Sequence, residues 1–241
     1  MAHFVNNIDE TLLPVEDQVR LKTPSVMIQG DGWEEVACGL VHRGLCEVVS
    51  EESIYKVNNQ PLLNGLFSVS KDEMKDDIPL ARLIMNLKPW NMVSRCLTGD
   101  VGTLPSVTQL GSLHLHDHDV IVTSSEDLRC FFYLFRTPPA WTKFMAFGKE
   151  APRCLVPPGE DSKRWFLAGR VLPMGYLNSV EIAQHIHRAV IQKAIGSVKG
   201  LGLTIQELRR DRCFSGFPNL FRVYLDSRDH VRGGRSGKGV L

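Results

Sequence analysis

The stretch PLLNGLFSVSKDEMKDDIPLARLIMNLKPWN, Pro61 to Asn91, decides how the chain is read. Two apolar, β-prone runs, Pro61 to Lys71 and Leu80 to Leu87, flank the charged segment KDEMKDD (Lys71–Asp77), with Pro79 behind it. Runs of this length and composition favour strands, and a charged interruption between them marks a reversal of the chain. The expectation is a hairpin with a polar tip.

Further strand candidates follow. DVIVTSSED ends at Asp127, while FMAFG and WFLAGRVLP stand on either side of a loop rich in Pro, Gly and charge from Lys149 to Lys163. Two helices are expected from apolar residues recurring at three and four. One lies between Gly32 and Leu45, carried by Trp33, Val36, Ala37, Leu40 and Val41. The other lies between Val180 and Val198, with Val180, Ala183, Ile186, Ala189, Val190 and Ala194 on one face. The first thirty or so residues show no clear period and read as an irregular lead-in. The end, RDHVRGGRSGKGVL, reads as a flexible tail.

Composition sets outer bounds. A chain of 241 residues, 43% of them hydrophobic, is long enough to bury a real core. Its 28 basic and 27 acidic side chains leave a formal charge of +1, so the balance alone indicates no nucleic-acid partner. Any basic groove has to come from arrangement. Cys38, Cys46, Cys96, Cys130, Cys154 and Cys213 form no CxxC pair, which suits buried thiols in a reducing compartment. The N-terminus lacks a signal pattern, and no stretch approaches the roughly 18 apolar residues of a membrane span. A soluble intracellular protein without a membrane partner is expected.

The chemistry rests on acidic residues. Asp127 and Asp226 each end an apolar, strand-like run, and two such carboxylates folded together can hold divalent cations. Mg²⁺ takes carboxylate oxygens for this purpose.

The surroundings of these residues resemble the reverse transcriptase family, the RNA-directed DNA polymerases of retroelements. LFSVSK followed by ARLIMNLKPWN is similar to the fingers strands, where an Arg and an Asn close the pattern Arg-x-x-x-Asp-x-Arg-x-x-Asn. DLRCFFYLF resembles the first catalytic block, LPMGYLNSVEIAQ the second, and YLDS the third, the Tyr-x-Asp-Asp box. The four occur in family order from about residue 61 to about residue 230, roughly two thirds of the chain.

The resemblance implies an α+β fold: a polymerase-like palm whose antiparallel sheet bears Asp127 and Asp226 on adjacent strands, and a fingers subdomain. A helix from about Leu177 to Val198 would pack beneath the palm. The fingers would comprise the hairpin and the strands between Phe135 and Pro173. The implied division is an N-terminal lead-in with one amphipathic helix over residues 1–54, fingers and palm over 55–230, and a tail over 231–241. The implied activity is template-directed deoxynucleotidyl transfer by two-metal chemistry, with Mg²⁺ or Mn²⁺ as cofactor. The partners would be an RNA or DNA template with primer, and deoxynucleoside triphosphates.

Carried over position by position, Asp127 and Asp226 become metal ligands. Phe132, five residues after Asp127, matches the bulky side chain beneath the sugar, where a 2′-hydroxyl would clash. Arg82 matches the arginine that stacks over the incoming base and contacts its phosphates, a task suited to a planar fork of donors. Lys71 lies near a lysine that binds the γ-phosphate. Met174 stands where many members have Gln, and Gly175 lets backbone and template approach closely.

Several features depart from the family. Ser227 replaces the second Asp of the third block, Asn86 replaces an Asp of the fingers, and GLGLTIQELRRDRCFSGFP reads as an insertion. The chain ends about fifteen residues beyond Asp226, so a thumb is expected to be absent, and a thumb or ribonuclease H region would belong to a longer polyprotein. The alternative function is therefore a catalytically inactive nucleic-acid-binding remnant that holds a duplex by shape and phosphate contacts.

Three segments keep two readings each. FFYLF is either a buried aromatic strand or turn, or the sugar-contacting block. HLHDHD (His114–Asp119) offers imidazoles for zinc or, because three ligands along one strand do not converge, an outward polar face. LRRDR (Leu208–Arg212) and the tail arginines contact phosphate or are simply solvated. In QHIH, His185 and His187 are two apart on a helix and face different ways.

Overall fold

A computed structural model describes residues 1–20, 22–28, 32–106, 108, 109, 117, 128, 130–160, 162–198, 205–212 and 219–221. The chain mixes helices with largely antiparallel sheets, an α+β arrangement, and divides into two compact units. The first comprises Met1–Leu97 with Cys130–Ser179, the second Thr98–Arg129 with Val180–Leu241.

In the first unit the hairpin forms as expected, with β5 (Gly65–Lys75) antiparallel to β6 (Ile78–Asn86). The strands run further than composition indicates. Most of the charged segment belongs to β5, and the reversal takes only Asp76 and Asp77, at φ 51° and 60°. Two successive left-handed residues are the backbone of a type I′ turn, whose twist matches that of the strands, and Asp tolerates that region. A register shift between Ser70 and Met74 places a bulge at Lys71–Glu73. The parallel strand β1 (Val26–Met27) adds to the free side of β5, giving the order β1-β5-β6.

A second sheet has the order β2-β8-β7, from β2 (Cys46–Ser50), β7 (Ala146–Glu150) and β8 (Trp165–Gly169), all antiparallel. The two strands expected from FMAFG and WFLAGRVLP are β7 and β8. Asn64 ties this sheet to the hairpin. It is fully buried, its side-chain amide donates to the carbonyls of Phe144 (2.9 Å) and Ala146 (3.0 Å), and its own carbonyl accepts from Gly148 N–H at 2.8 Å. A short antiparallel pair, β3 (Lys56–Val57) with β4 (Gln60–Pro61), precedes the hairpin.

The expected first helix is α2 (Trp33–His42), with Trp33, Ala37 and Leu40 buried. The residues before it are irregular in outline yet anchored, which their lack of period concealed. The short helix α1 (Ala2–Asn6) lies under Trp141, whose Nε1 donates to the Val5 carbonyl at 2.8 Å. Leu13 N–H donates to Val93 O and Arg95 N–H to Thr11 O, so Leu12 forms a bridge with Ser94.

Aromatic stacking fixes the centre of this unit. Trp90, in the one-turn helix α3 (Lys88–Asn91), lies between Tyr176 (ring centres 3.9 Å apart) and Phe144 (5.6 Å), both nearly parallel to it. Trp141 meets Trp90 edge-on at 5.5 Å. Such rings contribute packing beyond the area they remove from water. The expectation of buried thiols holds for Cys46 and is corrected at four positions, Cys38 being half-buried and Cys96, Cys130 and Cys154 exposed, while Cys213 lies outside the described residues.

In the second unit the expected long helix is α4 (Ser179–Val198), which starts at the boundary between the units. Its assigned face holds at Ala183, which is buried, and is corrected elsewhere: Val180 and Val190 are exposed, whereas Ile182 and Gln184 are buried. Polar side chains claim the covered side. Arg188 is 12% exposed and bridges Asp100 (Nη1 to Oδ1, 2.5 Å) and Glu207 (Nε to Oε1, 2.6 Å), while His185 Nδ1 lies 2.8 Å from the other oxygen of Asp100. Burial raises the Glu207 carboxyl above its ordinary range. Glu207 ends β9 (Ile205–Glu207), which pairs in parallel with β10 (Asn219–Phe221). Among the described residues no helix is long and apolar enough to cross a membrane.

Candidate functional site

The site is built on β6. Along this strand Met85 is buried and Leu83 and Ile84 are half-buried, while Arg82 is exposed. Successive strand residues point to opposite faces, so Arg82 and Asn86, four apart, share the face opposite Leu83 and Met85. Arg82 pairs with Val69 across the hairpin, and Lys71 lies two residues further along β5 at the bulge, its Nζ 3.7 Å from Glu73 Oε2.

Among the described residues β6 is the edge of its sheet, with no strand paired to the outward carbonyls at its alternate residues. Two distant segments cover them. The first is the aromatic block, a 3₁₀ turn over Phe131–Leu134, entered through Cys130 at φ 56°. Tyr133 Oη donates to the Leu83 carbonyl at 2.9 Å, across 50 residues of sequence. Burial pushes the Tyr133 phenol above its usual value, against the opposing pull of the neighbouring Arg82 guanidinium. Phe132 is half-buried and meets Phe131 edge-on at 5.9 Å. FFYLF is thus a partly exposed turn beside Arg82 and not a buried strand.

The second covering segment is the turn that precedes α4. Gly175 lies so close to β6 that a Cβ built there would stand 2.5 Å from the Met85 carbonyl oxygen. Asn91 holds the turn through both ends of its amide: Nδ2 donates to Gly175 O and Oδ1 accepts from Leu177 N–H, each at 2.8 Å. Asn178 is buried, accepting from Leu97 N–H at 2.9 Å and donating to Arg95 O at 3.0 Å. Tyr176 is stacked on Trp90. Four neighbouring residues are therefore fixed, and Met174 and Leu177, each 41% exposed, project from a rigid turn.

Five sequence-predicted positions thus belong to one unit. Arg82 and Lys71 lie on the hairpin, Phe132 on a turn docked at Leu83, and Met174 with Gly175 on a turn docked at Met85. Asp127, Asp226 and Ser227 lie outside the described residues, as do His114, His116, His118 and the tail. Among the described residues no group of three or more His, Cys, Asp or Glu is placed to hold a metal ion. In LRRDR, Arg209 is engaged by Asp211 through two contacts of 2.7 and 2.6 Å. His185 reaches Asp100 while burial lowers the His187 imidazole below its ordinary value, so the two histidines have separate environments.

Sequence reading did not assign roles to Tyr133, Asn91 or Asn178. Asn91 closes the fingers pattern, and an amide at the end of an apolar run, directly after Trp90, was the available signal. Comparison with protein-family models and with curated proteins gives no match for this chain.

Proposed function

We propose that the chain is a reverse-transcriptase-like fingers-and-palm domain that adds deoxynucleotides to a primer under the direction of a template. One observation carries the reading: three blocks that resemble the family, far apart in sequence, meet on a single strand. The aromatic block reaches Leu83 and the Met174–Gly175 block reaches Met85 and Asn91, both along the edge of the strand that follows Arg82.

In this reading Arg82 stacks over the incoming base and donates paired hydrogen bonds to its phosphates. Phe132, held by the turn that Tyr133 anchors, fills the space that a 2′-hydroxyl would need. The turn of Met174 and Gly175 faces the template, with the glycine letting it dock closely on β6, and Lys71 supplies positive charge to the γ-phosphate from the bulge. Asp127 and Asp226 would hold Mg²⁺, whose donor preference their carboxylates suit, and the ions would acidify the primer hydroxyl and neutralise the triphosphate.

Primer extension with Mg²⁺ or Mn²⁺ tests this, beside an Asp127→Asn control. Incorporation by the parent chain and its loss in the control are expected; incorporation that persists in the control removes the metal-site assignment. Ser227 favours a second reading, a binding domain without chemistry. That reading predicts duplex binding by the parent chain, weakening as salt rises, with no extension under either metal.

A further inference from the structure

Cys38 lies in the middle of α2, and Cys154 lies in the short turn Arg153–Leu155 that follows β7. Their sulfurs stand 3.4 Å apart although the residues are separated by 116 positions. Cys154 is exposed and Cys38 half-buried, so a small reagent has access to the pair.

The elements that carry them are already joined. Trp33 Nε1, at the start of α2, donates to the Glu150 carbonyl of β7 at 2.8 Å, and Lys149 Nζ lies 5.4 Å from the centre of the Trp33 ring. A cysteine side chain has a single torsion before its sulfur, so the contact reflects where the two backbones are held. A disulfide requires about 2.05 Å between sulfurs, and an ångström-scale rotation of the two side chains closes the difference.

We propose that Cys38 and Cys154 are a modification site, forming an intramolecular disulfide by exchange with a small disulfide such as glutathione disulfide and so fastening α2 to the β7–β8 connection. In the first step one cysteine thiolate attacks a glutathione sulfur, making a mixed disulfide and releasing one glutathione thiolate. In the second the other cysteine attacks the protein sulfur of that mixed disulfide, the Cys38–Cys154 bond forms, and a second glutathione leaves. The two cysteines are oxidised by two electrons, glutathione disulfide is reduced to two thiols, and the two protein thiol protons pass to the departing thiolates or to solvent. Neither cysteine belongs to the proposed nucleotide site, so the inference stands apart from that reading.

Attack by Cys154 is slow at neutral pH. The Cys154 thiol is pushed up to about 11, chiefly by the hydrogen bond shared with Cys38, then by desolvation and by Glu34 on α2. Thiolate is the attacking species, so exchange is best observed near pH 9.

The test incubates the full chain with excess glutathione disulfide at about pH 9, followed by alkylation of the remaining thiols and mass spectrometry of the intact chain and its peptides. The expected product has Cys38 and Cys154 both unalkylated, no glutathione at either position, and one linked peptide pair containing both. In Cys38→Ser, Cys154 should stop at the mixed glutathione disulfide. The linked chain should melt several degrees higher than the reduced chain, as expected for closing a long loop, and dithiothreitol should reverse the shift. Glutathione remaining on Cys38 or Cys154 in the parent chain would overturn the proposal. So would alkylation of both under conditions that modify the exposed Cys96 and Cys130. A linked chain with an unchanged melting temperature would overturn the fastening of α2.

Discussion

Replacing Gly175 by Ala tests whether the turn before α4 is as tightly docked as its geometry requires. The added methyl would stand 2.5 Å from the Met85 carbonyl oxygen, roughly an ångström inside ordinary contact. Neither side gives way freely. Met85 is paired with Leu66 in the hairpin, and the Gly175 carbonyl is held by Asn91 Nδ2. Overpacking of this kind costs about 1–3 kcal/mol. If the turn lifts instead, both Asn91 hydrogen bonds are lost at about 1 kcal/mol each. Either route destabilises the first unit by about 2 kcal/mol, a several-degree fall in melting temperature. Urea unfolding followed by tryptophan fluorescence is the direct assay, because Trp90 stacks on Tyr176, the next residue. Gly196, in α4 with open space around it, is the control, and Gly196→Ala should be neutral or stabilising by up to about 1 kcal/mol. The Asn91→Ala/Gly175→Ala double variant should cost less than the two single changes together, since the methyl already strains the bonds that Asn91 makes. A Gly175→Ala protein within about 0.5 kcal/mol of the parent would refute the docking argument.

Three further outcomes are expected. Arg188→Leu leaves Asp100 and Glu207 facing each other without their bridge and should cost about 3 kcal/mol by thermal unfolding, whereas Lys163→Ala, which removes an exposed partner of Glu160, should leave the melting temperature unchanged. Burial raises the Tyr176 phenol above the ordinary value of 10.0, so its contribution to stability is fully present below pH 10 and is lost as pH rises through the folded value; Tyr176→Phe should flatten that alkaline loss in a pH series of urea midpoints. On the proposed function, Phe132→Ala should raise ribonucleotide relative to deoxynucleotide incorporation by roughly tenfold in primer extension, and an unchanged ratio would remove Phe132 from its assigned place beneath the sugar.

The elements that composition revealed are those whose cause is local. Val69 and Phe67 alternate with smaller residues, Trp33 to Leu40 repeat at helical spacing, and two aspartates supply a turn that accepts left-handed backbone. What was not legible has a non-local cause. The face of α4 expected from its valines, alanines and Ile186 includes Val190, yet Val190 is exposed because Arg188 occupies covered space, and it does so through Asp100 and Glu207, 88 and 19 residues away. The N-terminal residues are held largely by backbone hydrogen bonds to Val93 and Arg95, which leave no mark on side-chain pattern. Within the candidate site, residue types were legible while the clamp was not, because nothing local announces that the Asn91 amide meets Gly175 and Leu177.

The edge position of β6 links fold to site. An uncovered edge strand exposes a row of backbone groups that invites pairing with another chain. Here Leu83 and Met85 are two apart, so their carbonyls point to the same side, away from β5. One is taken by the Tyr133 hydroxyl and the other is shielded by the Gly175 backbone. Protecting the edge therefore brings the aromatic turn and the glycine turn to the same few ångströms of strand, and the alternation of that strand sends Arg82 and Asn86 to the face that the buried Met85 side chain does not use. The spacing of Arg82 and Asn86 follows from the same physics: an interval of four keeps both on one face of a strand, where an interval of three would divide them. The grouping of Arg82, Phe132 and Gly175 thus comes from how the hairpin is closed off, before any ligand is considered.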